Sequence, residues 1–167
     1  MQPHKIEKIY VDLDGVLCNF TKKFREVYGI DPDSKEGRRS FGDFFERFIK
    51  DQHFASLEMM PDAFALIDYL RNLPLPIEIL SSTGRPANHE EVSRQKMVWL
   101  QTHGITFKPN FVPGKELKQK FATPNSIIID DTMSIIDDWK QAGGIAIHHK
   151  SARETMVMLK FYLMDRT

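Results

Sequence analysis

The sequence predicts an α/β fold: a Rossmann-like three-layer α/β/α sandwich with a parallel sheet, carrying a small helical cap insert. Three observations predict it. Short apolar, β-branched runs alternate with stretches of helical period, the order that builds a parallel sheet with helices on both faces. Three of those runs stop at chemically useful groups, Asp12 and Asp14, Ser81 to Thr83, and Asp130 with Asp131. In a parallel sheet such ends lie along one edge, where open α/β folds bind their ligands. Finally, the stretch 19–60 holds two helical segments in succession without a strand. It reads as an insert hanging over that edge, with the core formed by 1–18 and 61–167.

Each element has its own warrant. Ile6–Val11 is a buried strand ending in D-x-D-G. Phe20–Tyr28 places Phe20, Phe24 and Val27 at helical spacing, and Gly29 supplies the stop. Asp31–Arg39 reads as a polar loop, after which Ser40 is the expected N-cap of a second helix, FGDFFERFIKD. Phe41, Phe44, Phe45 and Phe48 fall at i, i+3, i+4 and i+7, one aromatic stripe. The plain reading packs that stripe on the body, and the sharper one stacks Phe20, Phe44 or another ring on a flat substrate such as a nucleobase. Pro61 is placed as the first residue of helix Asp62–Asn72, which Pro74 and Pro76 terminate. Ile77–Leu80 is the second strand. Asn88 and Glu91 have the spacing of a capping box for a helix to about His103, with Gly104 as its stop. Phe107–Pro113 is a weak third strand, and Lys115–Ala122 a short basic helix or loop. Ser126–Ile129 is an apolar strand running into Asp130-Asp131. Ser134 and Asp137 resemble a cap pair for helix Ile135–Gln141, stopped at Gly143-Gly144. Ile145–His148 is the last strand. Ser151 and Glu154 cap the closing helix, with Met156, Leu159, Phe161 and Leu163 as its apolar surface.

Composition narrows the function. The 167 residues suit one domain with an insert, and 23 basic residues against 23 acidic ones leave no net charge. That balance gives no strong signal for nucleic acid. The single cysteine, Cys18, excludes an internal disulfide and fits a reducing compartment. No apolar run approaches the length of a membrane span and the start MQPHKIEK is polar, so the expectation is a soluble, cytoplasmic protein.

The chemistry lies in the carboxylates. Asp12 and Asp14 are two residues apart, so in a continuing strand both point the same way. Held together, they repel unless a proton or a cation intervenes. A hard divalent ion with oxygen ligands, Mg²⁺ above all, resolves the conflict. D-x-D-G also closes strands as an ordinary turn, and it is the matching strand ends elsewhere that favour the metal.

With those motifs assembled, the chain resembles the haloacid dehalogenase (HAD) superfamily of phosphohydrolases. The matching residues are Asp12-Leu-Asp14-Gly-Val, Ile79-Leu80-Ser81, a lysine within Lys115–Lys120, and Ile128-Ile129-Asp130-Asp131. The helical insert after the first motif and the tail WKQAGGIAIHH are similar to the 5′(3′)-deoxyribonucleotidase branch. The resemblance implies an Mg²⁺-dependent phosphomonoesterase. Asp12 is then the nucleophile, forming an aspartyl-phosphate, and Asp14 protonates the leaving alcohol and later activates water. Ser81 meets a phosphoryl oxygen, and Mg²⁺ is held by Asp12, Asp130 and the Asp14 backbone carbonyl. Among Lys115, Lys118 and Lys120 the preferred catalytic lysine is Lys118, with Lys115 second. Asp131 orients the lysine, binds metal through water, or simply shapes the loop. Ser82 and Arg85 are further candidates for phosphate or substrate contact, although Gly-Arg-Pro also reads as a turn. Lys35, Arg38 and Arg39 read as a solvated face. His148 and His149, as strand neighbours, point to opposite faces and do not share a metal. The implied partner is a small phosphorylated molecule, a nucleoside monophosphate first. The alternatives are another phosphorylated metabolite, a nucleic-acid 3′-phosphate, or a binding module without turnover.

Overall fold

The computed structural model describes residues 5–164; the polar start at 1–4 lies outside them. A five-stranded, all-parallel sheet is built from β1 (Lys8–Val11), β2 (Ile77–Ser82), β3 (Lys108–Val112), β4 (Ser126–Asp130) and β5 (Ile145–His148). Their spatial order is β3-β2-β1-β4-β5. The chain leaves β1 toward one edge and later returns to the other side of β1, so β1 and β4 flank the switch point where such sheets open a crevice. Register makes the ends level: Val11 pairs with Ile79 on one side and Ile129 on the other. Asp12, Ser81 and Asp130 therefore emerge on one lip.

Side-chain alternation along the strands divides the interior into two cores. Ile9, Val11, Ile77, Ile79, Ile127 and Ile129 face one side, together with Leu66 of α3 (Ala63–Arg71), Trp99 of α4 (His89–Thr102) and Leu159 of α6 (Ala152–Met164). Tyr10, Leu80 and Ile128 face the other, against Ile135, Ile136 and Trp139 of α5 (Met133–Gln141). The first core continues without a break into the insert, through Phe24 of α1 (Phe20–Tyr28) and Phe48 of α2 (Lys35–Lys50).

Several expected boundaries move, for identifiable reasons. The helix expected to start after Ser40 begins at Lys35, because Ser34 is the cap: its Oγ accepts from Gly37 N at 3.0 Å. A Cβ on Gly37 would stand 2.0 Å from the Asp31 carbonyl oxygen, so only glycine lets the Asp31–Ser34 turn fold onto this helix. The exposed side chains of Lys35, Glu36, Arg38 and Arg39 made these first turns look like a loop. Asn88 does not cap α4; its amide donates to Glu46 Oε1 of the insert at 2.8 Å, and a 3₁₀ turn at Pro86–Asn88 leads into the helix. Glu91 accepts from Arg94 and Gln95 instead of closing a capping box. At α5 the Ser134/Asp137 pair plays no part, since the helix begins at Met133 and Asp130 Oδ1 already accepts from Thr132 N at 3.0 Å. Pro61 falls two residues before α3. The cap of α6 is as expected, with Ser151 Oγ accepting from Glu154 N at 3.2 Å, but Phe161 is 61% exposed and joins neither core. Lys115–Phe121 is a 3₁₀ helix. Among the described residues no helix is long and apolar enough to cross a membrane.

Phe48 is wholly buried, with the rings of Phe20 and Phe54 at 5.1 and 4.9 Å. Phe48→Ala is expected to cost roughly 3–5 kcal/mol, measured by urea unfolding, and to loosen the insert first, seen as hydrogen exchange in α2 ahead of the sheet.

Candidate active site

The lip of the sheet forms the floor of a cavity of about 580 Å³. Asp12 sits at the carboxyl end of β1 and is 6% exposed; Asp130 ends β4 and is fully buried. Gly15, at φ +85°, turns the chain immediately after the first motif. A Cβ there would lie 2.0 Å from Asp131 Oδ2, so the glycine is what allows the fourth-motif acid to close on the first. Carboxylate oxygens of Asp12, Asp130 and Asp131 come within 4.8 Å of one another.

Two buried lysines stand among the acids of this lip. Lys118, 2% exposed, donates to Asp130 Oδ2 at 2.7 Å and lies 3.0 Å from Asp12 Oδ1. The 3₁₀ helix turns this one lysine inward, while Lys115 lies on the cavity wall and Lys120 is exposed. Asp130, not Asp131, orients Lys118. Burial opposes the charge on Lys118, but Asp12 and Asp130 outweigh it and hold the ammonium above the ordinary lysine range. The second lysine, Lys96 in α4, was not anticipated. Its Nζ donates to Asp14 Oδ2 at 2.8 Å, Ser81 Oγ at 2.7 Å and the Ser82 carbonyl at 2.9 Å. The signal was available: Val92, Trp99 and Leu100 stand four before, three after and four after Lys96, all buried, so the lysine lies on an apolar helix face.

Other candidates divide by placement. Ser82, Arg85, Lys115, Asp131 and Phe20 line the cavity. Ser81 is fully buried behind Lys96, so the hydroxyl on the wall belongs to Ser82. Phe44 stands outside the lining because the helix turns it the other way, where it stacks on Tyr28 at 4.5 Å. Phe41 and Phe45, stacked on each other at 5.2 Å, line the cavity in its place, with Phe54. His148 Nε2 sits 3.0 Å from the Asp131 carbonyl and His149 Nδ1 2.7 Å from Thr155 Oγ1, so the two rings serve separate contacts. Cys18 is buried, and burial pushes its thiol well above the ordinary range.

The charge balance favours a bound cation. Burial, then the charge of Asp130, pushes Asp12 up to about 6 despite Lys118 and Lys96. Burial, with Asp12 and Asp130, pushes Asp131 up to about 7. Two carboxyls that retain protons so far above their ordinary range are a site short of positive charge. The donor set is all oxygen, which suits a hard divalent ion.

A family model described as "5' nucleotidase, deoxy (Pyrimidine), cytosolic type C protein" matches residues 5–159. The chain belongs to this family. It is a hydrolase of phosphoric monoesters with an HAD-like fold. Among solved structures, a HAD family hydrolase from Deinococcus radiodurans R1 with bound phosphate and sodium shares 14% identity at a TM-score of 0.55, covering 95% of this chain and 97% of that one. A hydrolase from Streptococcus pneumoniae shares 15% at 0.54, covering 93% and 99%. A HAD-superfamily hydrolase from Ehrlichia chaffeensis shares 14% at 0.53, covering 96% and 98%. These are likenesses of fold. A comparison with curated proteins gave no match.

The raised carboxyls set a pH dependence for this nucleotidase-family chain. A carboxyl whose folded pKa lies above its unfolded value stabilises the fold at low pH, and that contribution is lost as pH rises through the folded pKa. Without divalent cations, the stability contributed by Asp12 and Asp131 is therefore lost between about pH 4 and pH 7. A divalent ion held by these acids at a hundredfold above its Kd would add about 2.7 kcal/mol, or roughly 5–10 °C in Tm. Thermal melts at pH 5 and 7.5 with and without Mg²⁺ check this; the ion should help much more at 7.5.

Proposed function

We propose that the chain is an Mg²⁺-dependent phosphomonoesterase that works through an aspartyl-phosphate at Asp12, with a nucleoside monophosphate as substrate. The observation that carries this reading is one cavity with Asp12, Asp14 and Lys118 at its floor and Phe20, Phe41, Phe45 and Phe54 on its walls. Held by Asp12, Asp130 and the Asp14 backbone carbonyl, with Asp131 beside them, Mg²⁺ would offset the repulsion between the nucleophile and a phosphate dianion.

The protein's own groups supply the rest. Asp12 Oδ1 accepts from Leu13 N at 2.8 Å and faces Lys118, which leaves Oδ2 without a hydrogen-bond donor among the described residues. That carboxylate attacks phosphorus as the bond to the alcohol breaks. Asp14 gives the alcohol its proton, then takes one from the water that hydrolyses the aspartyl-phosphate. The Lys118 ammonium balances charge on the equatorial oxygens, and Ser82 offers its hydroxyl from the wall. Phe41 and Phe45 give the wall aromatic surface that a base can pack against, an interaction of about 1–3 kcal/mol where stacking is achieved. Arg85 and Lys115 add positive charge to the walls. The words "deoxy (Pyrimidine)" in the family's description support a deoxynucleotide, and "cytosolic" supports a cytoplasmic location. The insert, 19–60, serves as the cap that presents the aromatic wall.

Asp12→Asn is expected to reduce kcat on an aryl phosphate by a factor on the order of 10⁴ or more while the chain stays folded by circular dichroism; undiminished turnover refutes the nucleophile. A panel of deoxynucleoside monophosphates, ribonucleotides and sugar phosphates reads out the substrate class. The nucleotides should show the higher kcat/KM, and a clear preference for sugar phosphates overturns that part of the reading.

A further inference from the structure

We propose that the substrate carries a second phosphate, and that Lys35, Arg38 and Arg39 of the insert receive it just outside the catalytic cavity. The inference rests on the phosphomonoesterase reading and deepens it by narrowing the substrate class: a nucleotide with one phosphate at Asp12 and a further phosphate or phosphodiester beyond the aromatic wall.

The three side chains line a hollow of their own. All are exposed, and among the described residues none pairs with an acid. Asp31, in the turn before the helix, is taken by Arg25. Lys35 opens α2, and Arg38 and Arg39 stand in its next turn. That is the positive end of the helix, where acids stabilise and cations do not. Glu36, the acid of the first turn, falls off the face that Lys35 and Arg38 share. Cations set against the field of their own helix, with no acid beside them, point to an anionic partner outside the chain.

Helical period puts this patch in line with the catalytic wall. Lys35, Arg38, Gly42 and Phe45 recur at i, i+3, i+7 and i+10 along one face of α2. Lys35 and Arg38 line the hollow, and Gly42 and Phe45 line the cavity. One helical turn, about 5 Å, carries the chain from Arg38 to Phe41 and Gly42. Arg38 Nε donates to the Asp33 carbonyl at 2.8 Å, and Asp33 itself lines the cavity, so hollow and cavity adjoin. A Cβ on Gly42 would meet Arg85 Nη2 at 3.5 Å, which sets a further guanidinium against the same strip. Arg38 commits its Nε–H to the turn, leaving its terminal amino groups for phosphoryl oxygens, the acceptors that guanidinium forks fit best. A mononucleotide packed against Phe41 and Phe45 would leave these cations unused.

The test compares substrates that share a nucleoside and differ in their second phosphate. The full chain is assayed with Mg²⁺ at low salt on a deoxynucleoside 5′-monophosphate, the matching 3′,5′-bisphosphate and the matching 5′-phosphorylated dinucleotide. Release of the first phosphate gives kcat/KM for each. Wild type should favour the bisphosphate or the dinucleotide over the monophosphate by about tenfold, the gain that one hydrogen bond to a charged group supplies and well beyond the doubling that a second ester offers by number alone. Preference for the bisphosphate identifies a terminal phosphate as the second group, and preference for the dinucleotide identifies a phosphodiester; either supports the proposal. Neutralising the patch in Lys35→Gln/Arg38→Gln/Arg39→Gln should bring that ratio to within about twofold of the monophosphate. Because the readout is a ratio, a change in turnover common to all three substrates does not enter it. Lys35→Glu/Arg39→Glu leaves Arg38 and its bond to Asp33 in place, should abolish the preference likewise, and decides the matter if the triple variant does not fold. A wild type that treats the three substrates alike or prefers the monophosphate, or a folded variant that keeps the wild-type ratio, overturns the proposal. Wild type inactive on all three sinks the phosphomonoesterase reading itself, while activity without preference sinks only the second phosphate.

Discussion

Four carboxylates brought to one lip of a sheet is the constraint on which the rest of this structure depends. Asp12, Asp14, Asp130 and Asp131 come from two adjacent strand ends, and the chain places two ammoniums, Lys96 and Lys118, among them. The division is not symmetric. Lys118 joins the nucleophile candidate to the fourth motif, while Lys96 joins the proton-transfer candidate to the second strand. Buried ion pairs of this kind contribute little net stability, because desolvation consumes most of the attraction. Their value lies in geometry: each acid is held in one orientation, and the residual negative charge is concentrated where a metal and a phosphate are expected to meet.

The topology explains why so few residues suffice. With β1 at the centre and β2 and β4 on either side, level registers bring three sequence-distant motifs together with no long loop between them. The glycine after the first motif removes the last obstacle to their approach.

Most of that framework could be read from residue order. Apolar runs ending in acids located the strands and the lip, because burial on both faces leaves a strong pattern in Ile127–Ile129 and in Ile79–Leu80. What escaped was carried by single side chains whose partners lie far off in the chain. Ser34 and Ser40 are equally good caps on paper, and only the fit of Gly37 against Asp31 decides between them. Asn88 has the spacing of a cap, yet a tertiary bond to Glu46 claims it. Lys118 could be distinguished from Lys115 and Lys120 only by the turn of a 3₁₀ helix. Lys96 was hidden because an isolated lysine within a mostly polar helix reads as solvated, although its position four residues after Val92 and three before Trp99 marked the buried face.

The insert has no interior of its own. Phe24, Phe48 and Phe54 belong to the same apolar mass as the strands, and Phe45 presses on the backbone at Gly84, where a Cβ would come within 3.0 Å. If the insert serves as the proposed cap, it cannot swing clear on a hinge, since doing so would bring the domain's own centre into water. Under that proposal, substrate is expected to enter along the line where Phe41 and Phe45 face Arg85 across the cavity. Selection by size would then be exercised at the doorway before any chemistry begins.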